Sequence, residues 1–369
     1  MLTLLNYIYY LFPYLLVFAV LYFYPQIGRP SRKAYCILTF LILWLFAGLS
    51  YDVGWDYLEY INSMKVEGHA LERYETLEYW LALCSKHLGS YQLFFIGNHL
   101  IIMSLVMMVI YRSSSDYVLS TLFFVGLPLL YLMSFATIRC AAALSVVFFS
   151  YDYFLKRDKY LFFILFVFIA SLFHQTAFIA LLLLPLHIWG RSRWINICLL
   201  IIAVFFARSG TMVTIPGMEE VEAMSDIYSR YEYSEKGGGD SGGGDKLHYL
   251  YLFFNIVNLF FFSKLSRIGG KQLERYISFV NMGCCIAFIF SFNPLFAMRF
   301  SRYYYIFIIL IAPYYCQLFK RFNEKNVRLA LVSFVFLIFL YQLILPNYNG
   351  ADISRVSTYW PYRLYFFNL

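Results

Sequence analysis

Uncharged apolar runs recur along the entire chain, among them Ile37–Leu49, Ile101–Ile110 and Leu329–Leu345. A bilayer core about 30 Å thick takes roughly 20 residues of helix to cross, and these runs supply from half of that length to most of it. Only 14% of the 369 residues are charged, whereas a soluble domain of this size carries about 25%. The expected fold is therefore all-α and polytopic, and no stretch reads as a soluble globular domain. Apolar residues begin almost at Met1 and continue through Tyr, Phe and Pro without a small-residue cleavage site, so the first stretch is expected to be a retained span. The 35 Tyr and 40 Phe suit interfacial belts and helix packing.

Charge divides the chain into two sets of loops. One set is short and basic: Arg29/Arg32/Lys33, Arg112, Lys156/Arg157/Lys159, Arg191/Arg193, Lys264/Arg267/Lys271/Arg275 and Lys320/Arg321/Lys325/Arg328. It holds 17 of the 29 basic residues and 5 of the 21 acidic ones, a surplus of +12; the remaining 12 basic and 16 acidic residues give −4. Lys and Arg mark cytoplasmic loops, which predicts about twelve spans with both termini outside. The expected spans are 4–24, 34–50, 91–111, 117–133, 135–155, 160–173, 175–190, 194–207, 247–263, 276–292, 303–319 and 327–345, with a tight hairpin near His174. The chain reads as one transmembrane domain, 1–369, with outer segments 51–90 and 208–246 and a C-terminal tail 346–369. Within the second segment, Lys236–Asp245 is glycine-rich and reads as a flexible linker. The seven cysteines are scattered and lack ligand spacing, so neither a disulfide framework nor a metal site is expected. The net charge of +8 is spread over these loops, which argues against a nucleic-acid partner and leaves the bilayer as the surface it faces.

Ionisable groups within a membrane are expensive, and each marks a candidate site. At the helix rise of 1.5 Å per residue, Arg139 lies about 25 Å from Lys156, and His174 about 22 Å from Lys159. By the same measure Arg299 and Arg302 lie roughly 27–31 Å from Lys320, and Asp56 about 34 Å from Lys33. Four distant segments thus place polar residues in one layer at the outer boundary. Asp52, Asp56, Glu59 and Tyr60 share a helical face, with Gly54 suited to a bend where the span ends. Glu75 and Glu78 lie one turn apart in a segment, Glu72–Leu88, that also reads as an amphipathic interfacial helix. Small residues follow Arg139 and allow close packing. Arg299 and Arg302 form an i, i+3 pair that repels unless an anion joins it, and the planar guanidinium suits phosphate oxygens.

The ordered motifs resemble the EpsG-like branch of the Wzy-type polysaccharide (O-antigen) polymerases. They are Gly54-Trp55-Asp56-Tyr57-Leu58-Glu59-Tyr60, Glu78-Tyr79, Ile138-Arg139, Phe173-His174-Gln175-Thr176, Arg299-x-x-Arg302-Tyr303 and Pro361-Tyr362, spread over nearly the whole chain. Two positions depart from the pattern: Ser50 stands where the family often has Arg, and Trp55 replaces a small polar residue. The resemblance implies a membrane glycosyltransferase with a GT-C-like fold in the bacterial cytoplasmic (inner) membrane, its site facing the periplasm. Its implied substrates are undecaprenyl-pyrophosphate-linked glycans as donor and acceptor, and a chain-length regulator and a flippase are implied partners. Without an acidic metal cage, no cofactor is expected. Arg139, Arg299 and Arg302 would clamp the pyrophosphate, with Tyr60 and Tyr303 as further substrate contacts. Asp56 is the first candidate base, His174 the second, and Glu78 a sugar contact or alternative base.

Three other readings compete. An O-antigen-ligase-like enzyme would use the same donor and a different acceptor, with a late outer loop such as 208–246. A transporter or lipid flippase would carry polar residues through the midplane, where this chain is nearly uncharged. A scaffold would leave the paired arginines unexplained.

Overall fold

The computed structural model describes residues 4–66, 71, 74–209, 242–291, 293–344, 359 and 362–367; the described residues form helices and short connections, without a strand. In chain order the helices are α1 (Leu4–Gly28), α2 (Arg32–Gly48), α3 (Tyr57–Lys65), α4 (Thr76–His87), α5 (Gln92–Ser113), α6 (Tyr117–Gly126), α7 (Ile138–Tyr153) and α8 (Tyr160–Ser171). They continue as α9 (Leu183–Trp189), α10 (Arg193–Ser209), α11 (Gly242–Phe260), α12 (Phe262–Ile289), α13 (Pro294–Tyr305), α14 (Ile308–Leu318) and α15 (Glu324–Ile344). Polar caps set several starts. Ser31 Oγ accepts from Ala34 N at 3.2 Å, and Asp116 Oδ1 accepts from Val118 N and Leu119 N at 3.1 and 3.0 Å. Asn293 caps α13, with Pro294 in its first turn, where a missing N–H costs nothing.

Among the described residues, four helices are long and apolar enough to cross a membrane: Leu11–Gly28, Gln92–Ser113, Ile138–Arg157 and Glu324–Ile344. Two bent pairs bring the number to six, α11 with α12 at 94° and α13 with α14 at 56°. The chain is thus a multi-pass membrane protein. Several of the twelve expected spans are shorter or broken. The one at 117–133 stops at Gly126, and the one at 303–319 is divided where α13 bends into α14. The helix expected from 276 begins at Phe262 and kinks at Gly270 (φ 62°). Most of the outer segment 208–246 and of the tail 346–369 lies outside the described residues, as does Lys236–Asp245 up to residue 241.

Two ends are set apart by the side-chain pairing. At one end Asp152 receives Arg112 at 3.3 Å and Lys156 at 3.2 Å, Arg328 pairs with Asp116, and Arg32 donates to the carbonyls of Ile110 and Ser114 at 2.9 and 2.6 Å. This is the basic layer read from the sequence. Asp152 and Arg139 lie at opposite ends of α7, 13 residues or about 20 Å apart. The expected hairpin at His174 is present: α8 leaves the basic end beside Asp158, and the chain returns there with His187 Nε2 3.2 Å from Asp158 Oδ1. Many tyrosines are buried rather than interfacial, and their hydroxyls reach across to carbonyls of neighbouring helices. Tyr131 donates to Leu43 O at 3.0 Å and Tyr304 to Ile179 O at 2.6 Å.

The C-terminal segment returns to the other end. Leu364 pairs antiparallel with Ser50, Tyr51 N donates to Arg363 O at 2.8 Å, and Tyr365 N donates to Leu49 O at 3.0 Å. Tyr362 stacks on Phe46 with ring centroids 4.2 Å apart, and its hydroxyl donates to Phe46 O at 2.7 Å. Residues 362–365 thereby strap the loop that leads from α2 to Asp56.

Candidate functional site

Arg139 stands in the first turn of α7 because the chain breaks before it. Thr137 occupies the cap position without bonding the first-turn amides, so the positive end of the helix dipole stays open. The guanidinium of Arg139 donates from Nη1 to Glu75 Oε2 at 2.7 Å and lies over the rings of Tyr74 (4.7 Å) and Tyr60 (5.9 Å). Glu75 extends the chain: its Oε1 accepts from Gln175 N at 3.3 Å and sits 3.7 Å from His174 Nδ1. A backbone bond, Leu77 N to Leu172 O at 2.9 Å, holds the start of α4 against the end of α8.

His174 is the cap of the 3-10 turn Gln175–Leu182, and its Nδ1 accepts from Thr176 N at 3.3 Å. Burial, then Arg299, Arg139 and Arg302, hold its pKa well below the usual imidazole value. The ring is therefore neutral, and because Nδ1 accepts, its proton is on Nε2. In this state His174 offers a donor to the site, which weakens it as a base.

The two arginines of α13 take different positions. Arg302 is completely buried; its Nη1 donates to Thr137 Oγ1 at 2.5 Å, while Nε and Nη2 have no hydrogen-bond partner among the described residues. Arg299, one turn earlier, is half-buried, and its Nε also lacks a partner among them. Tyr303 points inward, its hydroxyl 3.0 Å from Thr176 Oγ1 and 3.9 Å from Cys140 Sγ. It joins α13 to the His174 turn and is fully buried, as Arg302 is.

Asp56 caps α3 without a side-chain cap bond. Burial and, after it, the neighbouring Glu59 push its carboxyl up to about 7, against the pull of Arg299 and Arg139. A carboxylate poised near neutral pH is suited to accept a proton. Gly54 makes this placement possible. At φ +89° its backbone packs so closely that a Cβ would lie 2.3 Å from Phe135 O, just ahead of the arginine-bearing helix. Gly54→Ala is accordingly expected to destabilise the fold by about 1–3 kcal/mol through strain and collision, read as a lower thermal midpoint in detergent. An unchanged midpoint would show that the loop does not need this contact.

The structure thus brings together Asp56, Tyr60, Arg139, His174, Arg299 and Arg302, in the layer expected from the sequence. Glu78 is displaced from it, fully buried behind the cluster and bonded to Asn98. Glu75, singled out beside Glu78 in the sequence but given no role, joins this cluster with Tyr74, Thr137 and Thr176, which were not expected there; Tyr74 and Thr176 lie within segments that were. Among the described residues no three His, Cys, Asp or Glu side chains converge as metal ligands. Two grooves, one lined by Lys33, Phe40 and Tyr111 and the other by Asp116, Glu324 and Arg328, lie at the basic end. In comparison with known proteins, residues 33–364 match the model of the EpsG family. No curated protein and no solved structure matches the chain.

Proposed function

Because the chain belongs to the EpsG family, we propose that it is a membrane glycosyltransferase that polymerises undecaprenyl-pyrophosphate-linked oligosaccharide repeat units into a surface polysaccharide such as O-antigen. The observation that carries this reading is Arg302, a fully buried guanidinium with two nitrogens unpartnered among the described residues. A buried charge without a counter-ion is strongly unfavourable. Arg139 has Glu75, but Arg299 and Arg302 have no carboxylate within ion-pair distance among those residues. The cluster is therefore short of an anion, and a diphosphate at the end of a lipid supplies one with the forked geometry that arginine matches.

In this reaction an acceptor hydroxyl attacks the anomeric carbon of the donor sugar. The new glycosidic bond forms as the bond to the pyrophosphate oxygen breaks. Negative charge gathers on the leaving group, where Arg302, Arg299 and Arg139 stabilise it. The acceptor proton passes to the Asp56 carboxylate, and His174 donates from Nε2. A site at the periplasmic face of a bacterial inner membrane is supported by the paired basic layer at the opposite end, since Lys and Arg mark the cytoplasmic side. About twelve passages and a GT-C-like arrangement belong to this proposal; they are reached only if α11 and α12 count separately and the shorter segments α2, α6, α8, Gln175–Trp189 and α10 also cross. A flippase would deliver the repeat units, and a chain-length regulator would act on the product.

Incubating the purified protein with lipid-linked repeat units is expected to give a ladder of glycan lengths. A single addition to a different acceptor would replace polymerase with ligase, and movement of lipid without bond formation would favour a transporter.

A further inference from the structure

Glu78 on α4 and Asn98 on α5 form a fully buried pair, in which Asn98 Nδ2 donates to Glu78 Oε2 at 3.0 Å and to Phe94 O at 3.2 Å. The other two oxygens, Glu78 Oε1 and Asn98 Oδ1, are both buried and both lack a donor among the described residues. An ionised carboxylate and an amide oxygen only accept, so that pair would keep two orphaned acceptors. One proton on Oε1 answers both, because a neutral acid and a carboxamide close into a ring of two hydrogen bonds. We infer that Glu78 is held as a neutral acid in a closed pair with Asn98, and that it is a positioning residue of the arginine site. Its partner Asn98 belongs to the membrane-crossing helix α5. Three residues before it, Glu75 holds Arg139, so the pair fixes the register in which α4 meets α7.

The surroundings agree. Burial raises the Glu78 carboxyl to about 8, against hydrogen bonding from Asn98 and the charge of Arg139, with Glu75 adding to the rise. The titratable and charged groups around it are Glu75 and Tyr74 on its own segment, Arg139 on α7, and Glu59 on the exposed side of α3. On α5, His99 is engaged elsewhere, with Nδ1 2.9 Å from Phe95 O and Nε2 3.3 Å from Ser134 Oγ. An unfolded glutamate titrates at about 4.3. The folded protein therefore keeps a proton that the unfolded chain loses. The stability this proton contributes is greatest at low pH, falls as pH rises above about 4.3, and is gone once pH passes about 8.

Three measurements on the whole protein in detergent test this: isotope-edited infrared spectra, thermal midpoints across pH, and, resting on the polymerase reading, ladder formation. Subtracting the E78Q spectrum from the wild type at neutral pH is expected to reveal the C=O stretch of a protonated acid. E78A should lower the midpoint and cut polymer about tenfold or more, the effect of stranding one partner of a buried pair. E78Q can rebuild the ring with its amide, so it should restore both, and the part of the fall in midpoint that Glu78 adds as pH approaches 8 should disappear, leaving that of Asp56. A carboxylate band at neutral pH overturns the inference. So does a folded E78Q protein without polymer beside an active wild type, since that marks an ionised, reacting carboxylate. If the wild type itself makes no polymer, the spectra and midpoints still decide the protonation state, and only the polymerase reading falls.

Discussion

Arg302→Ala is expected to yield a folded protein whose polymer output is lower by about 10²–10³, the usual cost of removing a charge-assisted transition-state contact. Folding should survive because the substitution removes a buried charge with two nitrogens unpartnered among the described residues and breaks only the bond to Thr137. Deleting an uncompensated charge relieves a desolvation cost, which offsets the packing lost with the side chain. Lys at this position should recover part of the activity, since it keeps the charge but loses the planar fork. The measurements are ladder length, binding of the lipid-linked donor, and thermal midpoint for each variant. Normal polymer from Arg302→Ala would remove the anion clamp from this site.

Asp56→Asn is expected to retain donor binding and to lose transfer by about 10²–10⁴, the range for a missing general base. Asn preserves shape but cannot take the proton. The pH dependence is equally telling. A base must be ionised to act, so wild-type turnover should rise as pH climbs through about 7. Stability should move the other way. The carboxyl lies at about 7 when folded and at about 3.9 when unfolded. Its contribution to stability is thus complete at low pH and disappears as pH rises through the folded value. In the Asn variant this part of the slope should vanish. Full transfer by Asp56→Asn would move the base elsewhere, and His174 could take the role only by giving up the hydrogen bond at Nδ1.

Much of the site was legible because depth in a membrane is a one-dimensional quantity. Counting residues from the basic loops was enough to bring Asp56, Arg139, His174, Arg299 and Arg302 to one level, since helix rise is nearly constant. Distances within that level are a different matter. Glu75 and Glu78 are three residues apart, which on a helix would put both carboxylates on one face. Glu75, however, is the cap of α4 with extended backbone (φ −63°, ψ 155°), so its side chain departs toward Arg139 while Glu78 turns inward to Asn98. A shift of one residue in a helix start decides which carboxylate faces the cations. The breaks in the apolar runs were equally hidden. Nothing in the uncharged stretch after Gly126 announces that Leu129 adopts φ 65°, nor does apolar composition encode the 94° turn at Phe261.

The strap formed by residues 362–365 bears on how the protein is made. A strand partner for Ser50 that lies 314 residues later cannot arrive until nearly every span has left the ribosome and entered the bilayer. During all of that time Leu49 and Tyr51 lack the two backbone bonds that tie them to the strap in the finished fold. Assembly of the outer site is therefore a late event. A chain made only as far as Arg302 carries its arginines without the strap on the carboxylate loop, and membrane insertion is nearly complete before the candidate site is.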